Sequence, residues 1–407
     1  MELIEEGFKR LEIGIIPNDW NVKLLSEIST ITRLAGYEYT TMWSESIFGE
    51  IIALRGFNIG KNKIIEREFV RISNELSWKL KRSRLFKNDI IYPCVGSIGN
   101  AVVIEENDKY HIQQNIAKIT PNITLVFPLY LSYYLMSSHG LNEINKFNGS
   151  SSQPNILVGS LRNYTIILPP FEEQITISNS LKVFDELIIS LEKLIQKKRQ
   201  IKQGVIQELM KPKDGWKFKM LGEIAEMSSG GTPLTSVASY YNGEIPWVVI
   251  ADITKAGKYI SSTEKNISVE GLNNSSARLF KSGVLLFAMY ASIGKCTISK
   301  VDATCNQAIL GIIPKPSIDT EFLYYFLSFN EKKHSSMGQT GTQSNLNKEM
   351  VMNLSIPHPT LEEQKRITKT LSDIDEELNI LDQKLQKAKS IKLGMMQNLL
   401  TGKIRLV

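Results

Sequence analysis

The chain has 407 residues, of which 42% are hydrophobic and 22% charged, and a formal net charge of +6. That length supports two or more domains with their own cores, and the modest excess of Lys and Arg permits a polyanionic partner without requiring one. Three cysteines and four histidines, without C-x-x-C or H-x-x-x-H spacing, argue against a disulfide framework or a structural zinc site.

The chain opens MELIEEGFKRLEIG, with no basic start leading into an apolar stretch, and no window approaches about 18 uninterrupted apolar residues. A soluble, cytoplasmic protein without a membrane partner is expected. The first globular segment, residues 1–169, mixes short apolar runs such as DIIYP and AVVIEE with Gly and Asn breaks and one or two helical runs. Within it, GFNIGKN (56–62) has three residues between its glycines where a phosphate loop needs four, and its last Lys-Asn pair lacks the required Ser or Thr. The segment runs into LPPFEEQ (168–174). A DNA methyltransferase motif would put Asn, Asp or Ser before the two prolines, but Leu168 offers no acceptor for a target amino group. A helix start is expected there instead.

That helix occupies residues 170–211. Stepping by four and three gives the seam Ile177, Leu181, Phe184, Ile188, Leu191, Ile195, Lys198, Lys202, Val205, Leu209. A second globular segment spans residues 212–357, and a second helix follows at 358–407. Its seam is Ile367, Leu371, Ile374, Leu378, Leu381, Leu385, Ala388, Lys392, Met395, Leu399. Thr360 and Glu363 form the spacing of a capping box, whereas the first helix has Pro170 at the Thr position. Glu172–Glu173 and Glu362–Glu363 suit helix N-termini, as the lysines of 197–202 and 384–392 suit the far ends. Gly204 and Gly394 occupy equivalent helical sites at about 1 kcal/mol each relative to Ala, which suggests a close backbone approach or a shared helix break.

The chain is thus written twice. EEQITISNSLKVFDELI pairs with EEQKRITKTLSDIDEEL without a gap; RLFKNDIIYPCVGSIG pairs with RLFKSGVLLFAMYASIG, QQNIAKITP with NQAILGIIP, YLSYYL with FLYYFL, QPNI with QSNL, and DWNVKLLSEI with GWKFKMLGEI. A period of roughly 190 residues is far too long for a solenoid unit, so each copy is a domain. The fold class expected is α+β: two pseudo-symmetric globular mixed α/β domains separated by two long antiparallel coiled-coil helices. Each helix of about 38 residues would span roughly 57 Å. Its twin is the simplest cover for its seam, and antiparallel pairing follows from the resemblance of the segment after the first helix to the segment near the N-terminus.

The doubled W-x-x-x-x-L-x-E-I, the SGGTP (229–233) followed by IPWV (245–248), the P-P-x-E-E-Q-like helix start and the G-x-x-Q-x-L at the helix ends resemble the specificity subunits of type I restriction–modification systems. The likeness covers nearly the whole chain, although the first copy has ISTITRLAGYEYT where the second has AEMSSGGTPLTS. It implies two target-recognition domains on double-stranded DNA with a bipartite target, and two long helices. The partners implied are methyltransferase subunits, usually two, and a restriction subunit that translocates and cuts. One duplex turn is about 34 Å, so a helical rod of the expected length suits a ruler between two readers. The chain itself is then not catalytic, and S-adenosylmethionine and ATP belong to its partners. No cofactor or metal is expected on this chain: His111, His139, His334 and His358 lack carboxylate or cysteine neighbours at ligand spacing. A degenerate methyltransferase and a stand-alone DNA-binding or coiled-coil scaffold remain the alternatives.

Segments shared by both copies cannot tell two half-sites apart. NGSSSQPN (148–155) and GQTGTQSN (338–345), with Ser151, Gln153, Asn155, Thr342, Gln343 and Asn345, are expected to contact phosphates or shape a common turn. Discrimination is expected from the stretches that do not align, residues 31–84 and 228–278. The first carries Arg33, Arg55, Asn58, Lys61, Lys63, Arg67, Arg71, Lys79, Lys81 and Arg82; the second carries Thr232, Thr235, Asn242, Lys255, Lys258 and Lys265, with Tyr240, Tyr241 and Trp247 read as core packing. Arg reads guanine and Asn or Gln reads adenine through paired hydrogen bonds in the major groove.

Overall fold

A computed structural model describes residues 6–147, 156–337 and 345–406. Packing divides the chain into one unit of Met1–Glu192 with Gln383–Val407 and a second of Lys193–Asp382. The sequence suggested four consecutive segments; packing instead divides each long helix, α1 (Phe171–Leu209) and α2 (Leu361–Leu399), between the two units.

Each unit repeats the same three sheets. In the first, an antiparallel sheet orders Ser29–Arg33, Ile116–Pro121, Ile90–Pro93 and Val102–Val103. The second orders Ala225–Ser229, Ile309–Pro314, Leu285–Ala288 and Cys296–Ser299 in the same way, then adds Tyr259–Ile260 in parallel. A three-stranded sheet centres on Ile51–Leu54, antiparallel to Val70–Ile72 and parallel to Tyr110–Ile112. Its counterpart centres on Ile245–Val248, antiparallel to Asn266–Ile267 and parallel to Thr304–Cys305. These central strands are apolar on both faces, as strands covered on both sides must be.

The third sheet explains the proline phrase. Asn21–Leu24 pairs antiparallel with Thr165–Leu168, and Lys217–Met220 pairs with Ser355–His358. Pro169 and Pro359 come directly after, and lacking an N–H they cannot extend the ladder. The chain turns at once into α1 or α2. Gln174 ties that corner down: its Oε1 accepts from Phe127 N at 2.8 Å, and its Nε2 donates to Pro169 O at 3.0 Å and Leu125 O at 3.3 Å. Gln364 repeats the pattern with Asp319 N at 2.7 Å, Pro359 O at 2.9 Å and Ser317 O at 3.2 Å. Both glutamines are buried, so all three bonds count fully.

The residue before them in each copy does a second job. Glu173 accepts from the Trp20 indole and from Arg405; Glu363 accepts from the Trp216 indole and from Lys213. The capping box expected at Thr360 is therefore only half made. Thr360 Oγ1 accepts from Glu363 N at 3.3 Å, but the Glu363 carboxylate faces Trp216 and Lys213 rather than the Thr360 N–H. The tail after α2 reaches Arg405 through Gly402, whose φ is +73° and where a Cβ would lie 2.4 Å from Pro17 Cδ. Only glycine passes there without strain.

The cores seat the helices. In the first unit Trp20, Tyr92, Tyr130, Tyr133 and Tyr134 pack with Ile177 and Leu181 of α1 and Leu399 of α2. In the second, Leu221, Phe287, Phe322 and Tyr325 pack with Ile206 of α1 and Ile367 and Leu371 of α2. Along the seam, Leu181, Ile195, Leu371, Leu378, Leu381 and Leu385 are buried, and Phe184, Ile188, Leu191 and Ile374 are half-buried.

Within each unit the helices run antiparallel, and their ion pairs fix the register. In the first, Asp185 pairs with Lys392, and Glu192 with Lys389 at 2.8 Å. In the second, Asp375 pairs with Lys202, and Asp382 with Arg199 at 3.1 Å. Each contact recurs with both residue numbers shifted by 190. Tyr133 donates to Asp185 at 2.6 Å and Tyr325 to Asp375 at 2.7 Å, so each junction joins both helices to the globular part. This accounts for Lys202 and Lys392 in the otherwise apolar seams; the third seam lysine, Lys198, pairs with Glu377 of α2. At Gly204 and Gly394 a Cβ would meet nothing within 4 Å, and both helices run through without a break, so neither reading of these glycines describes the fold.

Candidate nucleic-acid interface

The stretches that do not align between copies supply two of the three strands of each three-stranded sheet and the loops around them. In the first unit, Arg55 follows the central strand and points its Nε at Gln113 Oε1, 3.1 Å away, while Nη2 lies 3.4 Å from Glu45. Its guanidinium lies 6.0 Å from the exposed Phe57 ring. An arginine held at one edge by a glutamine is pre-oriented, with other donors left to reach outward. Arg71, exposed on the neighbouring strand, directs Nη1 to Gly49 O at 3.4 Å. Arg33 is exposed at a strand end, and Lys81 and Arg82 on the loop after Asn74–Lys79. Arg67 is exposed and paired with its neighbour Glu68 at 3.0 Å.

Two expected readers are corrected. Asn58 has no exposed surface: its Oδ1 accepts from Arg55 N, and its Nδ2 donates to Ile65 O and Arg67 O at 3.1 and 2.6 Å. Its amide holds the loop that carries Arg55 and does not face outward. Lys258 is likewise occupied, with Nζ 2.5 Å from Glu321 Oε2, 2.6 Å from Ser372 Oγ and 3.1 Å from the Tyr325 hydroxyl. It ties the second unit's sheet to α2. Lys61 and Lys63 keep their charges exposed, but they rim a groove of about 500 Å³ floored by Ile188, Ile189, Leu393 and Met396 of α1 and α2.

In the second unit, Thr235, Asn242 and Lys265 are exposed, and Lys255 is exposed and paired with Glu264 at 3.2 Å. Thr232 donates to the exposed Gln307. Trp247 is buried and donates its indole N–H to Gly231 O at 3.0 Å, while Tyr241 donates to Pro233 O at 2.7 Å. Ser151, Gln153, Asn155, Thr342 and Gln343 lie outside the described residues; Asn345 is half-buried at the edge of that stretch. The residue missed in the sequence is Gln113, the partner of Arg55. Its signal was the duplicated QQN/NQA block, which conceals which glutamine faces the unaligned segment.

The histidines behave as core. Burial holds His111 and His334 down at about 4, and the His111 ring lies between the carbonyls of Ile112 and Leu80. Burial raises Cys94 to about 11 and Cys296 and Cys305 to about 12, so all three stay thiols at neutral pH. Among the described residues no three His, Cys, Asp or Glu side chains gather as a metal cage, and no helix is long and apolar enough to cross a membrane.

The model of the type I restriction modification DNA specificity domain matches this chain twice, over residues 17–203 and 213–390. The chain belongs to that family. Each match contains one copy of the three sheets and most of one long helix, so the family's specificity domain coincides with the sequence repeat. The type I restriction enzyme MjaVIII specificity subunit of Methanocaldococcus jannaschii is 28% identical over 98% of this chain and 96% of its own. A chain from a study of complex assembly and conformational transition of the type I R-M system is 18% identical with a TM-score of 0.63, covering 96% of this chain and 99% of its own. The type I restriction-modification S subunit of M. genitalium has 16% identity and a TM-score of 0.59, covering 93% of this chain and 96% of its own. At those identities the two solved structures establish a shared fold.

Proposed function

We propose that this chain is the non-catalytic specificity subunit of a type I restriction–modification complex, and that each specificity domain reads one half of a bipartite DNA target. The observation that carries this is the pattern of what repeats and what does not. The clamps at Gln174 and Gln364 and the junctions at Asp185 and Asp375 recur residue for residue. The outer loops, with Arg55, Arg71 and Arg82 on one side and Thr235, Asn242 and Lys265 on the other, do not. A scaffold alone has no need for two differing polar surfaces on one duplicated frame. Methyltransferase subunits, two if the pseudo-symmetry governs docking, would sit on the helix pair and supply S-adenosylmethionine chemistry, with a restriction subunit supplying translocation and cleavage.

The test is to exchange residues 31–84 for the matching stretch of a relative, express the chain with its methyltransferase, and sequence the methylated DNA. One half of the methylated target should change and the other persist; a change in both halves, or in neither, rejects the assignment. The isolated chain should bind no S-adenosylmethionine, which separates it from a degenerate methyltransferase. Lengthening α1 and α2 by one heptad each adds about 10 Å and should widen the gap between half-sites by roughly three base pairs at 3.4 Å each.

A further inference from the structure

Ile47 and Phe48 are 91% and 92% exposed, while the next most exposed large apolar side chain among the described residues, Tyr37, is at 65%. They are not on a loose loop. Gly49 N donates to Ser46 O at 3.1 Å, closing a four-residue turn, and Ser46 N donates to Arg71 O at 2.9 Å. A Cβ on Gly49 would lie 2.5 Å from Ile72 O, so the turn sits flush on the strand Val70–Ile72 as only glycine permits. The carboxylates on either side are both engaged: Glu45 lies 3.4 Å from Arg55, and Glu50 accepts from Asn74 N at 3.1 Å. The turn is therefore a rigid stalk with two bare apolar side chains at its tip, and Arg55 and Arg71 stand beside its base.

We infer that this turn is a wedge that inserts between base pairs in the half-site read by the first unit. The inference rests on the proposed reading of that unit as a DNA reader. Size decides against a protein partner: a specific protein interface covers about 800 Å² on each side, far more than two side chains at a turn tip. Wedging a base step needs only one or two apolar side chains, with cations beside them to hold the phosphates. The wedge lies in the unaligned stretch 31–84, so it acts on one half-site alone. It favours steps that unstack at low cost, and so adds selectivity at a position no hydrogen bond reads.

The experiment uses the full chain assembled with its methyltransferase subunits. The probe is a duplex bearing the methylated target of this complex, with a fluorescent base that keeps native pairing, 2-aminopurine for adenine or pyrrolocytosine for cytosine, placed in turn at each base pair of the first half other than the methylated one. The parent complex should brighten the probe at one step, where the bases part. Phe48→Ser with Ile47→Ser should abolish that rise and weaken binding roughly tenfold. The slope of affinity against salt should be unchanged, since no phosphate contact is lost. An equal rise in the variant, or none in the parent at any position, overturns the wedge. So does a variant that differs only in sedimentation or in retention of methyltransferase, which would mark the tip as a protein contact. If the parent fails to bind the mapped target, the DNA-reading assignment itself falls; if it binds and the variant matches it, only the wedge falls.

Discussion

Trp20 donates its indole N–H to Glu173 at 3.1 Å, and Trp216 donates to Glu363 at 3.0 Å, so the same corner is held by the same bond in both halves of the chain. The two corners differ in burial. Glu173 is 3% exposed and grips Arg405 through both oxygens, at 2.7 and 2.8 Å. Arg405 in turn donates to Asp19 at 3.0 and 2.8 Å.

Glu173→Ala should therefore lower stability by about 2–4 kcal/mol, because it leaves a buried indole N–H without an acceptor and removes half of an arginine's cage. Glu363→Ala, whose side chain is 25% exposed, should lower it by about 1–2 kcal/mol. Chemical denaturation of each variant measures the difference, and equal losses would contradict the account of burial.

The junction of Asp185, Lys392 and Tyr133 makes a second prediction. Asp185→Ala should destabilise more than Asp185→Ala does in a Lys392→Met background, since the first leaves a lysine stranded in the seam. A double-mutant cycle should return a coupling of about 1–3 kcal/mol, and the cycle at Asp375 and Lys202 should give a similar figure. Additive losses at both junctions would show that the pairs hold nothing.

Acid should loosen the fold through its histidines. His111 and His334 sit at about 4 because burial disfavours their charged forms, against about 6.5 when unfolded. Above pH 6.5 both states are neutral and stability is flat. Between pH 6.5 and 4 the unfolded chain takes up protons the folded chain refuses, so stability falls as pH falls, by up to about 3 kcal/mol for His111. His111→Gln should lower stability at neutral pH and flatten the slope across that window in pH-dependent thermal melts. An unchanged slope would mean His111 titrates normally.

Asn58 and Arg55 should separate under mutation. Asn58→Ala removes three hydrogen bonds from a buried amide and should reduce stability by about 2–3 kcal/mol, with any loss of selection confined to the position that Arg55 reads. Arg55→Ala should do the reverse, with little change in melting and relaxed selection at one position of one half-site. Methylated-DNA sequencing beside thermal melts reads both outcomes.

The frame was legible because the chain states it twice. Period and order exposed the repeat, and heptad spacing located both helices: Phe171–Leu209 lies within two residues of the expected 170–211, whereas Leu361–Leu399 stops eight residues short of the expected end at 407. The polar surface was harder to read. Asn58 and Lys258 have the chemistry of base readers, and only their surroundings, a closed loop and a carboxylate facing inward, show that they serve the scaffold. Lys202 and Lys392 stand at seam positions that suit apolar side chains, and only the acids facing them on the opposite helix explain them. Ile47 and Phe48 are not distinguishable in the sequence, because an apolar pair beside a strand reads as core unless the turn that lifts it out is known.

The 190-residue shift in the ion pairs has one more consequence. Helix α1 alone carries both Asp185 and Lys202, and both Glu192 and Arg199; α2 alone carries Asp375 with Lys392, and Asp382 with Lys389. Each helix thus holds the acid and the base of its own antiparallel contact, which is what a self-complementary homodimer requires. A single copy of the repeat therefore carries both halves of the contact that joins the two helices. The mutual recognition of the rods is thus written into one repeat unit, while the outer loops are free to differ between copies without disturbing it.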